Sequence, residues 1–166
     1  MIHYEIYSTR FGDIGIAADE RALVALEFQR EDHALRIAPE WQRGATALTD
    51  AAAQQLQQYF AGERRQFDLP LAPPGTDFQR RVWDALLQIP YGETRSYREQ
   101  AAALGNLKAI RAVARANGAN PIAVVIPCHR VIGADGSLTG YAGGLDMKAR
   151  LLTLEGARFV QQAELL

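Results

Sequence analysis

The segment Pro121-Ile122-Ala123-Val124-Val125-Ile126-Pro127-Cys128-His129-Arg130-Val131 constrains this 166-residue chain more than any other. Ile122 to Ile126 is a continuous apolar run and reads as a buried segment. Pro127 fixes its own φ and pushes Ile126 toward extended backbone. The chain is therefore stiff where it delivers Cys128, its one cysteine, out of the core. A free cysteine commonly packs as a small hydrophobe. This one is followed at once by His129 and Arg130, and cationic neighbours favour the thiolate, which is the nucleophile.

A single cysteine excludes an intramolecular disulfide framework and fits a reducing compartment. A hydrophobic fraction of 48% is enough to build a core without staples. Met1-Ile2-His3-Tyr4-Glu5 opens with neither a basic leader nor a long apolar stretch, so a cytoplasmic protein outside the membrane is expected. The net charge of −1 conceals an asymmetry. Residues 1–75 carry 7 Lys+Arg against 11 Asp+Glu, and residues 76–166 carry 11 against 8. Arg95, Arg98, Lys108, Arg111, Arg115 and Arg130 face only Glu99 over residues 95–130. Such a basic cluster suits a polyanion such as nucleic acid, or is a solvated basic surface.

Residues 2–30 read as strands. Ile2, Tyr4 and Ile6 alternate with His3, Glu5 and Tyr7, a turn falls at Phe11-Gly12-Asp13, and Ile14, Ile16 and Leu23 to Phe28 suggest two more strands. Residues 31–45 show no period. Asp50 is the expected cap of a helix through Tyr59 and Phe60 that stops at Gly62. Leu69-Pro70-Leu71-Ala72-Pro73-Pro74-Gly75 is a linker by composition. The expected organisation is α+β: a strand-rich α/β domain over 1–75 and a mainly helical domain over 76–166.

The second half opens with a capping box, Thr76 as N-cap and Gln79 three residues on. Phe78, Val82, Ala85, Leu86 and Ile89 predict one helix face, ended by Pro90-Tyr91-Gly92. Ser96 caps a second helix, with Tyr97, Ala101 and Leu104 on a stripe broken at Gly105-Asn106. A third runs from about Leu107 to Asn117 and closes at Gly118. Two short helices joined by a glycine-containing turn predict a helix-turn-helix. The helix after the turn has an apolar face (Leu107, Ile110, Val113, Ala114), a basic face (Lys108, Arg111, Arg115) and a flat alanine side (Ala109, Ala112, Ala116). A basic edge beside a flat side admits close approach to a charged, grooved partner; the alanines can equally meet a neighbouring helix.

Gly133 to Gly144 forms a glycine-rich loop without the Lys-Ser/Thr ending of a phosphate loop. A last helix runs from near Asp146 to Gly156, with Lys148, Leu151, Leu152 and Glu155 on one face. A carboxylate in a final turn opposes the helix dipole, and on a buried face it needs a partner. These features suggest a triad of Cys128 as nucleophile, His129 as base and Glu155 as orienter. Adjacent side chains diverge, so a water would carry the proton between Cys128 and His129. His3 and His33 lie in the other half with no ligand spacing, so neither a metal site nor a cofactor is expected.

Pro127-Cys128-His129-Arg130-Val131, Asn120-Pro121, Gly140-Tyr141-Ala142-Gly143-Gly144 and Leu151-Leu152 with Glu155-Gly156 resemble the O6-alkylguanine-DNA alkyltransferase (methylated-DNA–protein-cysteine methyltransferase) family, in its bacterial constitutive form. The resemblance spans residues 76–166 in order; residues 1–75 resemble the family's ribonuclease-H-like domain only in their strand-rich start and following helix. It implies a monomeric repair protein acting on double-stranded DNA that carries O6-alkylguanine, with O4-alkylthymine as a second substrate. The alkyl group would pass from a flipped base to Cys128, once per molecule, with self-inactivation. In the roles so implied, Glu155 holds His129, Asn120 braces the active-site turn, Tyr97 pushes on the phosphate of the flipped nucleotide and donates toward the base, and Arg111 fills the gap in the stack. Arg98 and Asn106 fall at DNA-contacting positions, and Val131, Tyr141 and Ala142 line the pocket. The alternative is a non-catalytic lesion binder. Two departures are expected to loosen the helix-turn-helix: Gln100 at a usually apolar position, and Leu107 in place of a frequent proline.

Overall fold

The computed structural model describes residues 1–160. The chain divides into two compact units, one of Met1–Pro74 with Pro121–Ala123, the other of Gly75–Asn120 with the chain from Val124 onward.

The first unit is built on β1 (His3–Thr9), β2 (Gly12–Ala18), β3 (Leu23–Phe28) and β4 (Gln42–Arg43), in the order β3-β2-β1-β4. The first three strands form an antiparallel meander, with Tyr4 opposite Ala17 and Ile16 opposite Leu26, and β4 adds in parallel to β1. β4 lies in the stretch without sequence period, because two ladder residues are too few to show alternation. Two short segments cover the outer edge of β3. Leu23 N donates to Pro70 O and Leu26 N to Pro121 O, both at 2.9 Å. The composition-defined linker is therefore partly a strand partner, which removes an open edge.

Helix α1 (Ala47–Phe60) packs on β1 and β2, burying Ala52, Leu56, Tyr59 and Phe60. Its cap is Thr46, in a reciprocal box with Thr49, and not Asp50. Asp50 lies in the first turn and accepts a 2.7 Å hydrogen bond from Tyr7 Oη.

The second unit holds α2 (Asp77–Leu86), α3 (Tyr97–Ala103), α4 (Ile110–Gly118) and α5 (Leu145–Leu154). The capping boxes at Thr76–Gln79 and Ser96–Glu99 both form, the second with Glu99 as reciprocal partner. Val82, Leu86 and Ile89 pack inward, and so does Trp83, which the predicted stripe omits. The Trp83 indole donates to Ala116 O at 2.8 Å, centring the contact of α2 with α4. Phe78, roughly 140° round the helix from Trp83 at 100° per residue, faces outward. The Trp83 ring lies so close to Gly75 that a Cβ there would come within 2.5 Å of it, so only glycine fits.

The turn between α3 and α4 differs from expectation at Leu107. Residues Leu107–Ala109 form a 3₁₀ turn, whose step of about 120° per residue takes Leu107 off the helical stripe, and it is 47% exposed. Ala116, assigned to the flat side, is buried. Gln100 does not loosen the motif. Its amide exchanges two hydrogen bonds with Asn117, 2.8 and 2.7 Å, so a buried polar pair joins α3 to α4 with both amides satisfied.

A two-residue parallel ladder, not foreseen from sequence, completes this unit. β5 (Arg95–Ser96) pairs with β6 (Val131–Ile132), Arg95 opposite Val131 and Ser96 opposite Ile132. It fixes the start of α3, and with it Tyr97, against the segment that follows Cys128. Among the described residues, no helix is long and apolar enough to cross a membrane.

Candidate active site

The run Ile122–Ile126 is buried but is a turn, not a strand. Val124 has φ +70°, a left-handed conformation that a β-branched side chain adopts only under constraint. At Pro127 (φ −84°, ψ 62°) the backbone makes an inverse γ-turn, closed by Cys128 N donating to Ile126 O at 2.8 Å. Cys128–Arg130 then forms one 3₁₀ turn, and Val131 N closes it on Cys128 O. Cys128 is half-buried between buried neighbours on both sides.

Asn120 follows the C-terminal end of α4 and turns its side chain onto this element. Its amide nitrogen donates to Ile126 O at 2.8 Å and to Cys128 Sγ at 3.2 Å. Both contacts use the NH₂ end, so one amide braces the turn and supplies a donor to the sulfur. A donor at sulfur favours the charged form.

His129 is fully buried. Its Nε2 lies 2.9 Å from Glu155 Oε2, while Nδ1 is buried with no hydrogen-bond partner among the described residues. Glu155 is the C-cap of α5, next to Gly156 in the left-handed region. Gly92, also left-handed at φ +83°, lets the chain pass so close that a Cβ would sit 3.0 Å from Glu155 O.

The partner that Glu155 requires is chiefly Arg130. Arg130 Nε donates to Oε1 and Nη2 to Oε2, both at 2.9 Å, and Nη1 to Ile89 O at 2.7 Å. Arg130 also lies over the Tyr91 ring, 5.8 Å from its centroid. Burial alone would raise the Glu155 carboxyl, but hydrogen bonds from His129 and Arg130 and their charges outweigh it and hold it at about 2. Burial is also the main force on His129 and lowers it; the Glu155 contact opposes that, and Arg130 and Lys148 add to it. An ionised Glu155 can only accept, so His129 carries its proton on Nε2. Nδ1 then holds a lone pair and is the basic atom of the site.

The structure thus forms two hydrogen-bonded pairs, Asn120 with Cys128 and His129 with Glu155, brought side by side by the adjacency of Cys128 and His129 in the chain. Tyr97, the first residue of α3, is half-buried, and its hydroxyl donates to Thr139 O at 3.1 Å. Val131 is fully buried, and its carbonyl accepts from Lys148 Nζ at 2.6 Å. Tyr141 is half-buried and Ala142 exposed, in the loop before α5. Arg98 and Arg111 are exposed on α3 and α4. Asn106 caps the 3₁₀ turn, its Oδ1 accepting from Lys108 N at 3.1 Å. Sequence reasoning treated Arg130 as a cation beside the thiol and missed its grip on Glu155. The one available signal was the demand of a buried Glu155 for a cation. Lys148 was placed on the buried face but given no role.

A helix-turn-helix followed by a turn with a hydrogen-bonded thiol beside a buried histidine places the chain in a class: DNA-associated proteins with a candidate reactive cysteine. Two family models match nearly the whole chain. The 6-O-methylguanine DNA methyltransferase DNA-binding domain covers residues 77–157, and the ribonuclease-like domain of the same family covers residues 2–73. The chain belongs to the 6-O-methylguanine DNA methyltransferase family. It is 49% identical to the methylated-DNA–protein-cysteine methyltransferase of Methanosarcina acetivorans, over 94% of this chain and 99% of that one. To the constitutive enzyme of that name from Bacillus subtilis it is 46% identical, over 93% and 96%. The crystal structure of Mycobacterium tuberculosis OGT in complex with DNA is 47% identical and superposes with a TM-score of 0.85, over 93% of this chain and 92% of that one.

Proposed function

We propose that this chain repairs DNA by moving an alkyl group from the O6 of guanine to Cys128. The arrangement of Asn120, Cys128, His129 and Glu155 carries the reading. Asn120 donates to the sulfur, and His129 offers Nδ1 as a base while Glu155 holds its opposite nitrogen. A water passes the thiol proton to Nδ1. The thiolate attacks the alkyl carbon, the S–C bond forms as the C–O6 bond breaks, and the electron pair returns to the guanine oxygen. Tyr97 supplies a proton toward the departing base. The thioether has no route back to thiol, so each molecule reacts once.

The DNA partner follows from the family and from the exposed basic side chains Arg98, Arg111 and Arg115 on the helix-turn-helix. Extruding a base costs a few kcal/mol, and Arg111 would offset it by filling the space in the stack. Arg98 and Asn106 would contact the backbone, and Val131, Tyr141 and Ala142 would line the pocket. Residues 76–166 would bind DNA and carry the chemistry, and residues 1–75 would make the other domain, whose compact unit ends at Pro74 and takes in Pro121–Ala123. A cytoplasmic monomer suits a one-to-one reaction.

Incubation with O6-benzylguanine followed by peptide mass spectrometry tests this. One benzyl group per chain, on Cys128, is expected, and none on Cys128→Ala. Repeated turnover or an unmodified Cys128 would overturn the proposal, and an unmodified protein that still bound lesion DNA would be a lesion binder.

A further inference from the structure

Lys148 is a lysine with no exposed surface, on the first turns of α5 and outside the Cys128–His129–Glu155 assembly. Its Nζ donates to Val131 O at 2.6 Å, Thr139 O at 2.8 Å and Gly140 O at 3.4 Å. An ammonium has three hydrogens, so all its donors are engaged with backbone carbonyls. No donor remains for a phosphate or a base.

What those carbonyls belong to gives the lysine its role. Val131 ends the 3₁₀ turn that begins at Cys128 and starts the ladder to β5. Thr139 and Gly140 lie in the glycine-rich segment 133–144, between its Asp135–Ser137 turn and the start of α5. Thr139 O accepts from the Tyr97 hydroxyl as well as from Lys148, and the Thr139 hydroxyl donates back to Tyr97 Oη at 3.2 Å. One buried cation therefore ties together the turn bearing the sulfur, the glycine-rich loop and, through a shared carbonyl, Tyr97. We propose that Lys148 is a positioning residue for alkyl transfer, holding the glycine-rich loop and Tyr97 in register with Cys128 so that the base is aligned for attack.

The charge is costly to keep. Burial lowers Lys148 to about 8 against the pull of Cys128. An apolar residue of the same length would avoid that cost, but it would take the Lys148 donor from three carbonyls and leave Thr139 O with the Tyr97 hydroxyl alone.

The inference rests on Cys128 as the acceptor, and the test separates the two. Second-order rates of Cys128 are measured with O6-benzylguanine, which must be aligned in the pocket, and with iodoacetamide, which need not be. Their ratio cancels any change in the fraction of thiolate. In Lys148→Met the ratio is expected to fall about a hundredfold, the effect of a misalignment near 1 Å. A fall of less than about tenfold overturns the inference, whether both rates persist or both drop together, since a merely structural or purely electrostatic lysine leaves the ratio alone. If circular dichroism shows that Lys148→Met is unfolded, Lys148→Arg takes its place under the same threshold. It keeps the cation but cannot present three donors from one atom. Failure of the wild-type protein to take up benzyl at all would reject the acceptor assignment instead.

Discussion

Arg130 grips both carboxylate oxygens of Glu155, each at 2.9 Å, while one of those oxygens also meets His129. The geometry settles which way a proton can move. A carboxylate bound bidentately by a guanidinium is a poor proton acceptor, so Glu155 orients His129 and does not relieve it of its proton. Burial is what chiefly disfavours a charge on the neighbouring imidazole, and the Arg130 charge adds to it.

Arg130→Met is expected to destabilise the protein by about 3 kcal/mol, because it leaves Glu155 buried without its main cation. It should also raise the pH at which His129 gains a proton. Urea unfolding checks the first effect and the histidine ring resonances check the second. An unchanged imidazole titration would mean that Arg130 has no electrostatic hold on the base.

Glu155→Gln removes the charge that selects the Nε2–H tautomer, and transfer from O6-benzylguanine should slow by about 10²–10⁴-fold, the usual range for a general base. Stability has a definite sign here. Glu155 is held at about 2 against an ordinary 4.5, so it contributes stability above 4.5 that is lost as pH falls toward 2. Urea midpoints across that window should fall more steeply for the wild type than for Glu155→Gln.

Asn120→Ala withdraws donors from Ile126 O and Cys128 Sγ together. A buried carbonyl without its donor costs about 1–3 kcal/mol. The pH midpoint of Cys128 alkylation by iodoacetamide should move upward. A midpoint that stays put would show that the Asn120 contact with sulfur does nothing for the thiolate.

Gln100→Leu should cost about 1–3 kcal/mol, since it strands the Asn117 amide in the core. Adding Asn117→Leu removes the orphaned group and should restore part of the loss. Strict additivity in this double-mutant cycle would mean that the reciprocal pair is not coupled.

Arg111→Ala should slow repair of O6-methylguanine in duplex DNA while leaving reaction with free O6-benzylguanine within about twofold. The side chain is exposed on α4, and only the duplex needs a residue to occupy the space of an extruded base. Equal losses on both substrates would remove Arg111 from that role.

Local chemistry was legible in the chain alone. The capping box Thr76–Gln79, the Ser96 cap, the break at Gly105-Asn106 and the three strands of the first thirty residues depend on groups within a few positions of one another. Short-range signals failed where packing overrode periodicity: Leu107 turned outward in a 3₁₀ turn, Trp83 took the inner face of α2, and Thr46 displaced Asp50 as a cap. Tertiary structure alone decided which distant groups meet. Arg130 reaches Glu155 across 25 positions, Gln100 finds Asn117 across 17, and Lys148 finds the Val131 carbonyl across 17. A sequence announces that a buried charge needs a partner, because burial without one is costly. It does not name the partner, because the fold supplies it from wherever in the chain a matching group has been packed alongside.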